Sequence, residues 1–555
     1  MKVTKHIRYM AVSAAILGSS MTFVACNDFL DLKPQGSFTE AQLDDSSIDG
    51  LMTAAYAGLE GHFFGNNESF AGPITNWVFD VRSDDALKGG GDVSMEQNIH
   101  QLEISNITSD NVTGLDKWRN DYYAISRIHK TMNAIEGASI SNKESLMGEL
   151  KLLRAYFYFD LIRIFKQIPY FTENEDPNGK RADEYSREQI FDFIKADLRD
   201  AYQTMPETQA QAGRFNKYVA AAVMAKVSAF TSSWADVETY ANYVINSGKY
   251  ELYNNFGDLS KIEFNNQKES IMAIQFAKTS DNAHINYANL LNTTYSEDNR
   301  YGTGDDFFLA SQNLVNAFAT DENGLPYLDG SEHYVKTTLL GIGDYEGNVD
   351  PRLDFTVGRL GMPFRGYTYN MQWCRAYDIY GEYSGKKGLI DSNSPDMVKG
   401  WPWGASSLNF CLIRYADILL LKAEALIEQN KDLDEARNLI NSIREKAERS
   451  VDGDYTPVDL DPSKANYYVA PYPAQGWNQD YARKALRMER RLELAMEGNR
   501  WFDLVRWGTV VDTVNKYMQF EKKYQTYYEG ASITDDEVYL PVPYEEVNNS
   551  NGLYK

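Results

Sequence analysis

Residues 481–507 constrain the fold more strongly than any other stretch of this 555-residue chain. Apolar residues recur there at spacings of three and four, which is the period of a helix with one buried face. Gly498-Asn499 is a typical helix stop, so we expect the helix to end there. The sequence therefore predicts a long amphipathic helix that packs into a helical bundle. Its apolar row consists of Ala485, Met488, Leu492 and Ala495.

A second row on the same helix carries carboxylates. Glu489, Glu493 and Glu497 recur every four residues. Arg490 precedes Glu493 by three residues and Arg500 follows Glu497 by three, so we expect these two pairs to form ion pairs. Acid–base chemistry is one interpretation of such a row. An ion-pair network that locks the helix into a bundle is the favoured one, because catalytic carboxylates rarely lie among so many arginines.

The run from Met488 to Trp507, MERRLELAMEGNRWFDLVRW, resembles the C-terminal signature of the SusD/RagB family. These proteins are nutrient-binding lipoproteins on the surface of Bacteroidetes-type bacteria. Segments 153–165, 413–426 and 539–544 resemble the family too, in the same order along the chain. The resemblance implies a mainly α SusD-like fold. Such a fold has tetratricopeptide-like helical pairs, a long irregular loop-rich insertion and few short strands.

Helical periodicity appears in two parts of the chain. We expect helical repeats over about 116–250 and 405–520, within a single SusD-like body that spans 26–555. Between and before them, over about 61–115 and 251–404, Gly, Asn, Asp and Tyr are frequent and long apolar periodicity is absent. Long irregular segments in compact proteins usually carry function, so we expect these loops to form the ligand-binding region.

Residues 1–25 have the pattern of a lipoprotein signal peptide. A basic start is followed by an apolar run too short to span a membrane, and small residues precede Cys26. Phe23 stands where such motifs usually have Leu. We expect Cys26 to become the lipidated first residue of the mature protein; an ordinary signal peptide with an incidental Cys is the alternative. This anchor, with the family resemblance, implies that the protein lies on the extracellular face of the outer membrane.

The charge balance excludes one class of partner. The chain has 55 Lys and Arg against 79 Asp and Glu, a net charge of −24, so we expect no binding to nucleic acid. None of the six histidines and three cysteines has the spacing of a metal site. Two oxygen-rich turns, 321–324 and 452–454, do not complete a calcium loop. We therefore expect neither a metal nor another cofactor.

Two tryptophan clusters on predicted loops are candidates for sugar binding. Trp401 and Trp403 flank a proline, which favours an extended backbone, so both rings are expected to face one side. Trp373 and Arg375 have the same spacing, and a guanidinium beside an indole offers a stacking face with fixed hydrogen-bond donors. Packing of these rings into the core is the competing interpretation.

A third cluster combines Trp77 with Asp80, Asp84 and Asp85. Carboxylates that accept hydrogen bonds from sugar hydroxyls are natural partners for an aromatic platform. Asp305 is added because family members often supply a ligand contact from the corresponding segment. The carboxylate pairs 84–85 and 305–306 make glycoside hydrolysis an alternative function. Adjacent residues, however, do not by themselves give the opposed geometry that the reaction requires.

Together these features predict a cell-surface oligosaccharide-binding lipoprotein. The resemblance implies delivery of the ligand to a SusC-like TonB-dependent transporter, and it implies no catalysis. Three alternatives remain open: a peptide-binding relative of the RagB type, a surface glycoside hydrolase, and a helical-repeat scaffold that binds no small ligand.

Overall fold

The computed structural model describes residues 45–61, 71–282, 284–295, 301–328, 347–401, 403–451 and 454–554. The predicted signal peptide and Cys26 lie outside these ranges, so the expectation of lipidation stays a prediction. The candidate ligand residues all lie within them.

The N-terminal half is helical from residue 112 onward. Asn111 caps the first long helix by accepting a hydrogen bond from the Gly114 amide, and Ser186 begins a later helix with a capping box. The helices are α1 (Asp45–Tyr56), α2 (Trp77–Asp80), α3 (Gln97–Glu103), α4 (Val112–Gly137), α5 (Lys143–Ile164), α6 (Arg187–Thr204), α7 (Lys217–Phe230) and α8 (Trp234–Asn246).

The middle of the chain, from residue 247 to 409, contains only short elements among its described residues. Its helices are α9 (Gln312–Ala317), α10 (Arg352–Thr356) and α11 (Tyr377–Tyr380). Strand β1 (Ala86–Gly89) pairs antiparallel with β3 (Phe307–Ala310), and β2 (Ser270–Ile274) pairs antiparallel with β10 (Phe410–Arg414). The other strands have two residues each: β4 (Ala319–Thr320), β5 (Asn348–Val349), β6 (Val357–Gly358), β7 (Pro363–Phe364), β8 (Tyr367–Thr368), β9 (Ser384–Gly385) and β11 (Asn466–Tyr467).

Helices resume after β10. They are α12 (Tyr415–Glu428), α13 (Leu433–Arg449), α14 (Gln479–Leu494), α15 (Arg500–Arg506), α16 (Val510–Glu521) and α17 (Tyr544–Asn549). Each of helices α4 to α8 packs on the next, and α8 then packs on α12, which contacts α13 and α14. The helical layer is thus continuous although 168 residues separate α8 from α12 in sequence. A mainly α architecture with few short strands confirms the predicted fold class.

The predicted ion pairs within α14 are wrong. Arg490 contacts Asp417 of α12 and Asp503 of α15, and Arg500 binds Asp84. The helix also ends at Leu494, four residues before Gly498. Since α14 is covered by other elements, the buried Arg490 finds its partners across the helix interfaces and not along the helix itself.

The carboxylate row does form a buried network. Glu493 is fully buried and accepts from Lys446 Nζ at 2.7 Å, Arg414 Nη1 at 3.0 Å and Arg352 Nη1 at 3.2 Å. Burial alone would raise the pKa of Glu493, but Lys446, Arg414 and Arg352 together hold that pKa below its ordinary value. Glu489 and Glu497 make similar long-range pairs. We call the middle of the chain, residues 247–409, the insertion. The network connects the insertion, through Arg352, to α12, α13 and α14.

Candidate functional site

The structure divides the nine candidate ligand residues into two groups. One group lies at the surface on loops of the insertion and consists of Asp305, Arg375, Trp401 and Trp403. The other group is buried and consists of Trp77, Asp80, Asp84, Asp85 and Trp373. The expectation that Trp77, Asp84 and Asp85 line one ligand-binding surface with Arg375, Trp401 and Trp403 is therefore corrected, as is the ligand role expected of Asp80 and Trp373. The reasons differ from residue to residue.

Trp77 and Asp80 form part of the short helix α2 beneath α15. Only 6% of Trp77 is exposed, and its ring lies 5.1 Å from that of Phe308. The Asp80 carboxylate accepts hydrogen bonds from the backbone amides of Gly498 at 2.7 Å and Arg500 at 3.0 Å. Asp80 thus caps the start of α15 and has no surface left for a ligand.

Asp84 and Asp85 hold the same region through buried ion pairs. Arg500 contacts Asp84 with Nε at 2.8 Å and Nη2 at 2.9 Å, and Arg491 Nε contacts Asp85 at 2.6 Å. Burial would raise the pKa of Asp84, but Arg491 and Arg500 hold it well below its usual range. Both carboxylates therefore face arginines inside the protein. The sequence offered no local sign of this, because the partners are more than 400 residues away.

Trp373 belongs to a small core beneath the loops. Its ring packs edge-on against Phe364 at 5.7 Å and Tyr369 at 5.5 Å. The competing interpretation, core packing, is thus the correct one for Trp373. Two residues later, Arg375 emerges at the surface.

Four chain segments of the insertion meet at that surface: 291–295, 301–306, 371–375 and 400–404. The Tyr295 amide donates to the Trp373 carbonyl at 3.2 Å, and the Asp306 amide donates to the Thr293 carbonyl at 2.8 Å. A side chain added at Gly302 would collide with the Trp403 ring. Contacts of this kind bring the four segments together.

Arg375 is the most connected side chain of this surface. Its Nη1 contacts Asp305 Oδ1 at 2.6 Å, and its guanidinium lies 4.8 Å from the centre of the Tyr295 ring. About 39% of Tyr295 is exposed. The guanidinium is thus held between a carboxylate and an aromatic face.

The two candidate tryptophans differ in exposure. Trp401 is 55% exposed, whereas Trp403 is half buried against Gly302. The expected alternation applies to extended strands, but the chain forms a bend at Trp401 and a turn from Trp403. Trp401 therefore offers an open ring, and Trp403 fixes the loop that carries it. We call the exposed faces of Tyr295, Asp305, Arg375, Trp401 and Trp403 the loop surface.

Asp306 supports the loop surface from below. It is buried and accepts from the Arg375 amide at 2.8 Å and from Ser384 Oγ at 2.9 Å. Burial raises the pKa of Asp306 to about 7, although these hydrogen bonds oppose the rise. A carboxyl with this pKa beside Asp305 would suit a hydrolase, but Asp306 is 2% exposed and its oxygens are occupied by protein donors. It positions Arg375.

Sequence reasoning missed Tyr295. It is one of 38 tyrosines and lies in a segment without periodicity, so no local signal separated it from the others. Within the described ranges, no group of three or more His, Cys, Asp or Glu side chains is arranged to hold a metal ion. Cys374 and Cys411 are free thiols. In the same ranges, every helix is too short or too polar to cross a membrane.

Two family models match the chain. The model of the SusD family covers residues 268–555, and a model described as starch-binding associating with outer membrane covers residues 28–228. The chain therefore belongs to the SusD family.

Relatives agree over nearly the whole length. A SusD-like protein of Bacteroides ovatus is 25% identical over 553 residues, covering 94% of this chain and 87% of that protein. SusD-like protein P25 of Formosa agariphila is 23% identical and covers 94% of each chain.

Solved structures share the fold. A SusD superfamily protein of Bacteroides vulgatus superposes with a TM-score of 0.70 at 20% identity, covering 92% of this chain and 98% of that one. Surface glycan-binding protein A of Bacteroides thetaiotaomicron, solved in complex with laminarihexaose, superposes with a TM-score of 0.68 at 18% identity and the same coverage. The fold is thus SusD-like throughout the described residues.

Proposed function

We propose that this protein binds an oligosaccharide at the loop surface and passes it to a SusC-like TonB-dependent transporter, without cleaving it. The observation that carries the proposal is the pairing of an open indole, Trp401, with the Arg375–Asp305 pair on adjoining loops. Sugar rings stack on flat apolar faces, and their hydroxyls accept from a guanidinium and donate to a carboxylate.

The ligand is expected to be a neutral glycan. Arg375 and Asp305 compensate each other's charge, so the loop surface does not select strongly for an ionic ligand. Similar proteins support the same class of ligand. One matching family model is described as starch-binding, one structural neighbour is a laminarin-binding SusD-like protein and another holds laminarihexaose. Starch and laminarin are both neutral glucans.

A lipid on Cys26 would place this surface outside the cell. Each buried CH₂ of an acyl chain contributes roughly 0.8 kcal/mol, so several chains give a firm anchor to the outer membrane. The helical layer is the proposed docking side for the transporter, because stacked helices offer broad continuous surfaces to large partners. Co-purification from membranes in mild detergent tests that contact, and Cys26→Ala tests the anchor by its release from the membrane fraction.

Binding is tested by calorimetry with linear hexasaccharides from starch and laminarin. Trp401→Ala is expected to weaken binding by about 1 kcal/mol, and Arg375→Ala by roughly 1.5–3 kcal/mol. Tyr468→Ala is the matched control, since Tyr468 is also an exposed aromatic but lies outside the loop surface. Unchanged affinity in both loop variants, with intact melting temperatures, would refute the site.

The same protein and hexasaccharides also distinguish the alternative functions. A hydrolase would release reducing sugar from the hexasaccharides, and a peptide-binding protein would bind tryptic peptides and no glycan on an array. A protein that binds neither would be a scaffold.

A further inference from the structure

A large cleft that shares no residue with the loop surface lies beside α4. It is a cleft of about 1000 Å³ between α4, residues 171–178 and the C-terminal residues 546–554. None of its lining residues belongs to the loop surface. Its size is at the upper end of what small-ligand sites in proteins offer, so it exceeds the needs of a single sugar ring.

The walls of the cleft are fixed by contacts between distant parts of the chain. Arg119 of α4 binds α17, with Nε 2.9 Å from Glu546 and Nη2 2.7 Å from Glu545. Tyr122 donates its hydroxyl proton to the Pro169 carbonyl at 2.7 Å, and the Trp118 ring meets Tyr554 edge-on at 5.9 Å. The cleft is therefore a formed feature of the fold.

Aromatic side chains provide apolar faces in this cleft. Tyr123 is 53% exposed on one wall, and Tyr122 stacks on Phe171 at 6.0 Å within it. Amide and hydroxyl groups alternate with these rings; they belong to Ser126, Asn133, Thr172, Asn178, Asn549 and Asn551. Flat apolar faces beside neutral hydrogen-bonding groups suit a polyhydroxylated ligand.

The charges of the cleft are largely neutralised within the protein. Arg119 is paired as described, Glu173 binds Arg154 at 2.5 Å, and Glu175 binds Lys180. Lys130 has no ion pair within the described ranges. An ionic ligand such as a charged peptide would therefore find few uncompensated partners there.

His129 adds a polar group that the protein itself does not satisfy. It lines the cleft and is 8% exposed, and among the described residues its Nε2 has no hydrogen-bond partner. Burial and the nearby Arg154 lower the pKa of His129 to about 4, so the imidazole is neutral at physiological pH. Buried polar atoms normally have partners, so this nitrogen is an unsatisfied group in the wall of the cleft.

We propose that this cleft is a second binding site for a neutral oligosaccharide, separate from the loop surface. A long glycan that reached both sites at once would bind more firmly than at either site alone, because the second contact becomes intramolecular. The proposal goes beyond the function proposed for the loop surface and stands on different residues.

The test uses a background in which the loop surface is disabled by Arg375→Ala and Trp401→Ala together. Laminarihexaose, maltohexaose and linear hexasaccharides of mannose, xylose and galactose are titrated and followed by saturation-transfer NMR. At least one is expected to retain millimolar binding. Adding Tyr123→Ala should weaken it roughly 5-fold, the loss of one aromatic contact, and adding Ser126→Trp should abolish it by filling the cleft.

Tyr243→Ala is the matched control, since Tyr243 is an exposed tyrosine of α8 outside the cleft. Equal signals with and without Ser126→Trp for every hexasaccharide would overturn the proposal. So would a signal that depends on the cleft only with tryptic casein peptides. If the loop-surface proposal were wrong, the result would be different: the variant with Arg375→Ala and Trp401→Ala would bind the hexasaccharides as strongly as the wild type.

Discussion

Replacement of Asp84 by Asn tests whether the buried aspartates serve structure or a ligand. Asp84 receives two hydrogen bonds from Arg500 and a third contact from Arg491 Nη2 at 3.2 Å. Its backbone carbonyl also accepts from Ser311 Oγ at 2.6 Å. One residue therefore links the segment before β1 with α14, α15 and the insertion. We expect Asp84→Asn to destabilise the fold and to leave glycan affinity unchanged.

The magnitude follows from the burial of the pair. Asn has nearly the shape of Asp but lacks the charge, so two buried arginines lose part of their compensation. Breaking a buried ion pair by removing one partner costs about 3–5 kcal/mol. Unfolding entropy is about 2.1 cal/mol/K per residue, so for a chain of this size the melting temperature should fall by roughly 3–4 °C.

Differential scanning calorimetry measures this change, and hexasaccharide titration of the same sample measures affinity. Asp434→Asn is the control, because Asp434 pairs with Arg437 at 2.7 Å but its side chain is largely exposed. A surface pair contributes at most about 1 kcal/mol, so the control should melt within 1 °C of the wild type. An Asp84→Asn protein that melts like the wild type but binds glycan weakly would refute the reasoning and return Asp84 to the ligand site.

Three further changes have defined outcomes. Glu493→Ala leaves Lys446 and two arginines buried without their shared carboxylate, and urea denaturation should show a loss of about 3–5 kcal/mol. Asp306→Asn should flatten the pH dependence: the raised pKa means that wild-type stability falls as pH rises from about 4 through 7, and urea midpoints across this range should differ between the two proteins. Gly498→Ala should lower the melting temperature, because Gly498 has φ +74° and a Cβ there would lie 3.0 Å from the Asn76 backbone.

The helices could be predicted from sequence because their periodicity is a local property. The ranges expected to be helical, about 116–250 and 405–520, contain Lys143–Ile164, Arg187–Thr204 and Leu433–Arg449. Partners of charged side chains are not local in this way. Arg490 could be placed on a helix face, but its bonds to Asp417 and Asp503 depend on how three helices pack.

Predictions for the candidate site also depended on whether the decisive contacts are local in sequence. Segment 71–90 lacks periodicity, which favoured an exposed loop, yet the structure buries it under the C-terminal helices. Asp84 and Asp85 are stable inside because Arg491 and Arg500 supply the opposite charge. Of the two interpretations left open for Trp401, exposure on a loop is the one that the structure shows, since 55% of this residue is exposed. Loop composition can suggest exposure, but it cannot reveal a counter-charge brought by the fold.

The buried network around α14 also bears on how the loop surface keeps its shape. Lys387 of the insertion binds Glu497 and donates to the carbonyls of Glu493 at 2.8 Å and Ala495 at 3.0 Å. Three residues before Lys387, Ser384 donates to Asp306, which in turn fixes the Arg375 backbone. A short path of ion pairs and hydrogen bonds therefore connects the end of α14 to the proposed ligand contacts. Because binding is weakened by the cost of ordering flexible loops, this anchoring from beneath lets an irregular segment present a preorganised surface.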